Sequence, residues 1–381
     1  MLIVRNSRFA LSTIFAVNGA LFGTWASRIP AISNIHDLSP ATLGFLIFLA
    51  GSSAVVAFSI FGRAADRYGA AYVTKRATCL LIPLILIFIA YANSIWMLAA
   101  AMIFFGGIHG GVDVSMNAWA AEIERKNDRP IMSSFHAMWS LGAGIGAGIG
   151  AILASYNIGI QMHFTIISIV IFLVILSILS IPFQSEKKER ENNAPFISIP
   201  KGPLLSVAFI TFFASLGEGA VADWSAIFLI SVASINDGSA ALGFTVFSIC
   251  MFAMRLMGDK IAFKFGPSKT ARYSGLVALT GSIILLLFES LTPLLIGFSL
   301  IGLGIAVIIP LAFSRAGNDK NVSQGKAIAS IATLGYGGML LGPLFVGFIA
   351  EATSIKTSFF ILPLLALLIF LLSKHLSIKS Q

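Results

Sequence analysis

The sequence predicts an all-α membrane protein: twelve transmembrane helices in two pseudo-symmetric six-helix bundles. Three observations carry this. Charged residues make up 11% of the 381 positions, against about 25% in a soluble domain, while 57% are hydrophobic, 32 are Phe and the mean hydropathy is +0.93. The apolar sequence comes as a series of runs of roughly 20 residues, the length that crosses a hydrocarbon layer of ~30 Å. Finally, 22 of the 25 Lys and Arg fall in alternate segments between runs; Lys356 alone lies in the others, and Arg28 and Arg255 lie near run ends. Cytoplasmic loops collect Lys and Arg, so this bias predicts an even helix count with both termini inside. It also accounts for the net charge of +9 without an anionic partner such as nucleic acid. Strict period-2 alternation is absent, which excludes an outer-membrane barrel. No cleavable small-residue site precedes the first run, which is therefore expected to stay as helix 1.

Breaks at charged and Pro/Gly clusters place the helices at 9–29, 41–61, 77–92, 95–121, 131–154, 161–183, 203–230, 239–257, 272–288, 291–313, 327–350 and 357–373. Arg5 and Arg8 precede the first. The stretch FGRAADRYGAAYVTKR (61–76) holds Arg63, Asp66, Arg67, Lys75 and Arg76, with Gly62 and Gly69, and reads as a turn between the second and third. Arg125, Lys126 and Arg129 separate the fourth from the fifth; Lys260, Lys264, Lys269 and Arg272 the eighth from the ninth; Arg315, Lys320 and Lys326 the tenth from the eleventh. The longest polar stretch, QSEKKERENNAPFISIPK (184–201), reads as a cytoplasmic linker. It divides the chain into an N-terminal bundle (1–183), a linker (184–202) and a C-terminal bundle (203–381). Cys79 and Cys250 both fall in spans and form no disulfide framework.

The halves echo each other in chain order. Leu-Gly-Phe at 43–45 recurs at 242–244, and Trp25 maps onto Trp224. Arg67 and Gly69 map onto Lys264 and Gly266, and SLGAG (140–144) onto TLGYG (333–337). Parallel six-helix repeats are one way a transporter is built, with its site near the midplane.

GRAADRYG (62–69) resembles the G-x-x-x-D-R-x-G motif of the major facilitator superfamily, between helices 2 and 3, and GDKIAFKFG resembles its degenerate copy. The resemblance spans the whole chain. It implies a cytoplasmic gate built from Gly62, Asp66, Arg67 and Gly69, with Asp66 at the start of helix 11 near Lys326 and Ala327. It also implies that Arg67 pairs with an acid at the end of helix 4, Glu122 or Glu124. Where the family pattern continues with two further basic residues, this chain has Ala70 and Ala71. WASRIP (25–30), DVSMN (113–117), RPIMSSFH (129–136) and EGAVADWSA (218–226) together resemble the YbjJ-like group of bacterial inner-membrane facilitators. The implied activity is secondary transport of a small solute across that membrane by a monomer, without cofactor or metal.

Three acids fall within the spans: Asp113, Glu218 and Asp223. Intramembrane ionisable residues mark substrate or proton pathways by default. Glu218, mid-helix between Gly217 and Gly219, is the first proton-coupling candidate, since burial of a carboxyl favours the protonated form that such a cycle needs. Asp113 is the second. His109, Asp113 and Asn117 stand at i, i+4 and i+8 and share one helix face, which predicts a polar stripe lining the cavity; a buried, self-satisfied network is the plain alternative. Asn18 and His136 are further polar candidates. Trp25, Trp139 and Trp224 suit an aromatic cavity floor or an interfacial belt. Arg28 and Asp223 are expected to form a periplasmic gate, because the repeat offset puts them within about 6 Å in depth; snorkelling of Arg28 to headgroups is the other reading. GAGIGAGIG (142–150) presents Gly142, Gly146 and Gly150 on one edge, and Gly144 and Gly148 on another, for close helix packing. GGMLLGP (337–343) with Gly347 is expected to do the same in helix 11.

The favoured function is proton-coupled transport of a small polar solute, a sugar or organic acid. The runner-up is a drug or metabolite exporter, disfavoured because helix 5 lacks the proline of the antiporter motif. An enzyme is disfavoured because no nucleophile, metal-ligand or cofactor signature accompanies His136, Ser133 and Ser140. A sensor would need an output domain, and ATP drive a G-x-x-x-x-G-K loop.

Overall fold

The computed structural model describes residues 2–127, 131–183, 185, 200, 202–319, 322 and 324–377. Among the described residues, regular structure is entirely helical. Twelve helices among the described residues are long and apolar enough to cross a membrane. They are α1 (Asn6–Ile35), α2 (Pro40–Tyr68), α3 (Ala70–Ala90), α4 (Ile95–Lys126), α5 (Met132–Ser155) and α6 (Ile160–Ile178), then α7 (Pro203–Ala233), α8 (Asp237–Phe265), α9 (Pro267–Leu287), α10 (Leu291–Gly317), α11 (Ser330–Ala352) and α12 (Ile355–Leu376). Helices suit this setting because each satisfies its own backbone groups where no water can.

Several ends differ from expectation. α3 starts at Ala70 rather than 77, so the turn in the basic stretch shrinks to Gly69, with φ +95°. Lys75 does not end the apolar segment because it is buried: its Nζ donates to the Ile181 carbonyl and lies 5.4 Å from the Trp119 ring centre. The helix breaks instead at Leu81, just before Pro83, which has no N–H to continue the ladder. α4 runs past 121 and carries Glu122 and Glu124. Arg125 and Lys126 form its last turn, where cations favour the helix dipole. α1 continues to Ile35 through Pro30. The 184–201 stretch lies almost wholly outside the described residues; within it, the Ser185 hydroxyl accepts from the Ala71 amide.

The chain divides into two compact units, Met1–Asn192 with Asn236–Thr245, and Asn193–Ile235 with Val246–Gln381. The opening turns of α8 thus pack with the first unit, on α1 and α5. In that unit, α1 meets α5 along a seam of glycines. A Cβ on Gly19 would lie 2.0 Å from the Trp139 carbonyl oxygen, and one on Gly142 1.9 Å from that of Ala16. Gly23 and Gly146 repeat the exchange one turn on. The edge expected at 142, 146 and 150 is therefore half of a reciprocal contact. In the second unit, α7 and α11 form a corresponding seam through Gly338 and Gly342, which approach Phe212 and Leu216. Both glycines belong to the GGMLLGP motif, while Gly337 of the same motif faces open space. The second unit's core runs through Val207, Ile210, Ala271, Ile308, Ala327 and Ile331.

Candidate functional site

In the first unit the glycine seam sets the site. It brings the backbones of α1 and α5 together beside Asn18 and Trp139, and Trp139 Nε1 donates to Asn18 Oδ1 at 3.0 Å. Asn18 is fully buried, and its Nδ2 has no hydrogen-bond partner among the described residues. Across from it, α4 presents the expected stripe. Asn117 Nδ2 donates to the Asp113 backbone carbonyl at 2.9 Å and to its Oδ1 at 3.3 Å. The His109 ring engages the backbone of Asn18, while its Nε2 is buried without a partner among the described residues. Two buried polar atoms at the stripe, one on α1 and one on α4, thus have no hydrogen-bond partner among the described residues, and a buried atom left so costs about 1–3 kcal/mol.

Aromatic rings frame this stripe. Phe22 lies 5.8 Å from both His109 and Trp139, and 5.9 Å from Phe244, centre to centre. Phe244 is the aromatic of the repeated Leu-Gly-Phe and reaches this site because residues 236–245 pack with the first unit. Phe105 stands 5.5 Å from His109 and is backed by Trp25 at 5.6 Å. Trp25 itself is covered by protein, so it belongs to no headgroup belt. His136 packs edge-on against Phe15, 5.6 Å away.

In the second unit, Glu218 is not a lone acid. Arg255 Nη2 lies 3.4 Å from its Oε1, with both side chains about nine-tenths buried. Arg255 is correspondingly not near a helix end: α8 continues ten residues beyond it to Phe265. The charge pattern predicts a loop at Asp259 and Lys260, but these residues continue the helix. Asp223 and Trp224 are buried, and neither Trp224 Nε1 nor Ser225 Oγ has a hydrogen-bond partner among the described residues.

Arg28 also sits inside its helix rather than at its end. Its Nε donates to His163 Nδ1 and its Nη2 to the Ile158 carbonyl, both at 2.9 Å, and Asp237 supplies a nearby opposite charge. An Nδ1 that accepts is unprotonated, so a neutral His163 carries its proton on Nε2, which is buried without a partner among the described residues. Arg28 does not snorkel: it is held by protein and buried. His163 and Arg255 were missed by the sequence reading, although the rule that selected the three acids applies equally to intramembrane bases.

Around the basic motif, Gly69 makes the turn, Gly62 has open space around its Cα, and Asp66 is half-buried. The exposed Arg67 guanidinium lies 5.2 Å from the Tyr68 ring centre. Glu122 is buried. Glu124 caps the start of α5 instead of meeting Arg67: its Oε2 accepts the amides of Ile131 and Met132 at 2.6 and 2.7 Å.

Residues 9–321 match the family model of the Major Facilitator Superfamily. The chain is 40% identical to the uncharacterized transporter y4wD of Sinorhizobium fredii, over 94% of this chain and 95% of that one. It is 31% identical to an uncharacterized MFS-type transporter of Yersinia pestis, over 93% and 91%. Its fold matches the crystal structure of the nucleoside transporter NupG in a mutant form, with a TM-score of 0.74 at 15% identity, covering 97% of this chain and 99% of that one. It also matches a bacterial homolog of the human lysosomal transporter Spinster, with a TM-score of 0.70 at 14% identity, covering 96% of each chain. Twelve apolar helices, two compact units and these matches together make the chain a multi-pass membrane transporter that belongs to the Major Facilitator Superfamily.

Proposed function

We propose that the chain carries a small, polar, uncharged ring solute such as a sugar across a bacterial inner membrane by alternating access, coupled to protons and as a monomer. The observation that carries this is the pair of buried, unpartnered atoms, Asn18 Nδ2 and His109 Nε2, beside the Asp113 carboxyl and framed by Phe22, Phe105 and Trp139. Such a set offers hydrogen bonds to hydroxyls and apolar faces to a ring. The stripe of α4 holds an acid and no Lys or Arg, which suits a neutral solute better than an organic acid. Relatives in Sinorhizobium, Yersinia and Rhizobium meliloti support the bacterial membrane, and the 22 basic residues on alternate segments support cytoplasmic termini.

Asp113 and Glu218 are the coupling acids in this reading. A proton arriving at Glu218 competes with Arg255 for the same carboxylate, so protonation loosens the pair and ties the state of α7 to that of α8. His136, Asn117, Trp25 and Trp224 shape or back the cavity. Gly62, Asp66, Arg67, Gly69 and Glu122 serve the cytoplasmic gate, and Arg28 and Asp223 the periplasmic one.

The test begins with thermal unfolding of the purified protein against a panel of sugars, nucleosides and organic acids, because a ligand stabilises the state it binds. A neutral ring compound should raise the midpoint of the parent and fail to raise that of Asn18→Ala. Stabilisation by organic acids alone would overturn the solute class. In proteoliposomes, Asp113→Asn should abolish accumulation driven by a pH gradient while leaving exchange intact; full accumulation removes Asp113 from coupling.

A further inference from the structure

A cleft of about 670 Å3 opens between the start of α3 and the end of α6, away from the stripe of α4. Its polar end carries Tyr72, Lys75, Arg76 and Ser180. Lys75 is buried against the Ile181 carbonyl and the Trp119 ring. Arg76 is exposed, its guanidinium 4.8 Å from the Tyr72 ring centre. Neither cation has an acidic partner among the described residues, and no Asp or Glu lines the cleft. The other end is apolar: Leu80 and Leu176, 59% and 49% exposed, continue it along the outer faces of the two helices.

We infer that this cleft binds an anionic phospholipid, with the lipid phosphate at Arg76 and an acyl chain along Leu80 and Leu176. Three features favour a lipid over a free anion. Basic pockets between membrane helices on one side of the bilayer take acidic headgroups. Among the described residues, no acid compensates the positive charge here. The apolar end would contribute nothing to a soluble phosphate, yet it lies where an acyl chain must run. Lys75 adds to the field from beneath without leaving its carbonyl, and Tyr72 holds the guanidinium at the mouth. The inference does not depend on the identity of the transported solute.

The test uses the full-length protein in dodecyl maltoside micelles. Its unfolding midpoint is followed against added dioleoyl phosphatidylglycerol, dioleoyl phosphatidylcholine or inorganic phosphate. Phosphatidylglycerol should raise the midpoint, and the other two should not. Arg76→Ala should weaken the apparent affinity for phosphatidylglycerol about fivefold, the worth of one basic residue at a membrane surface. Arg76→Lys should restore most of it. Arg272→Ala, which removes an exposed arginine from α9 with the same change of charge, should bind like the parent. Equal stabilisation by phosphatidylcholine, stabilisation by phosphate alone, or an Arg76→Ala protein that titrates like the parent would each overturn the assignment.

Discussion

Gly142→Ala and Gly148→Ala add the same methyl group to one helix and should have opposite results. At 148 the new Cβ would meet only Thr245 Cγ2 at 3.6 Å, an ordinary contact. Alanine is the better helix former by up to about 1 kcal/mol, so this change should be neutral or stabilising by that much. At 142 the Cβ would lie 1.9 Å from the Ala16 carbonyl oxygen, where contacts below 3.0 Å do not occur. The obstacle is backbone, so α1 and α5 must part by about 1 Å or more. A gap of 0.5–1 Å forfeits about a quarter to a half of the dispersion attraction between facing atoms, and overpacking of this kind costs about 1–3 kcal/mol. After a propensity gain of about 1 kcal/mol, a net loss of up to about 2 kcal/mol remains. The seam also holds Asn18 against Trp139, so Gly142→Ala should weaken solute binding as well. Equilibrium unfolding in mixed dodecyl sulfate and maltoside micelles, followed by ellipticity, measures the stability difference. If Gly142→Ala unfolds at the same dodecyl sulfate fraction as Gly148→Ala, backbone approach is not what holds these helices together.

Other expectations concern single contacts. Glu218→Ala should cost about 3–5 kcal/mol, because it takes the carboxylate from a buried arginine, and adding Arg255→Met should recover most of that; single effects that merely add would show the two side chains to be uncoupled. Gly266→Ala isolates the penalty of positive φ, since nothing lies within 4 Å of its Cβ position, and should cost about 1–3 kcal/mol. Gly69→Ala should cost more, because its Cβ would also press on Ser185 at 2.9 Å; equal losses in unfolding experiments would remove the Ser185 contact from the account. At the exposed turn before α10, Lys356 donates to Glu289 at 2.7 Å and holds that carboxyl below its usual value of 4.5. A lowered folded value means that the pair's small stabilisation is complete above pH 4.5 and fades as pH falls through the lowered value. Thermal midpoints of the parent and Glu289→Gln should therefore converge in acid, and a gap that widens there would contradict the pairing.

Much of the architecture was legible because the bilayer imposes a length and a polarity that no packing detail can override. The stripe of His109, Asp113 and Asn117 was equally legible, since helical spacing alone fixes a shared face. What faces that stripe was not. With 32 Phe in the chain, nothing in the sequence singles out Phe22 and Phe105. The edge at Gly142 and Gly146 was visible, but its partners Gly19 and Gly23 are far away in sequence, and only folding pairs them. Charged residues mislead in a consistent way. Lys75, Glu122, Arg255 and Lys260 look like loop or helix-end residues in the sequence, yet all are helical, because a long side chain can bury its stem or reach a partner without ending the helix. The place of Glu218 in the membrane marks it as important, but its ion pair depends on a neighbouring helix whose true length the charge pattern conceals.

The turn at Gly69 bears on how the protein is made. With one non-helical residue between Tyr68 and Ala70, α2 and α3 have no loop that could wait at the membrane surface while the next helix is still being synthesised. A helix that entered alone would leave its successor tethered to the bilayer edge with almost no slack, since one residue spans at most ~3.6 Å. Ribosome-bound chains should therefore insert this pair as a single hairpin, and a reporter lengthened through Gly69 should remain unintegrated until most of α3 has left the exit tunnel.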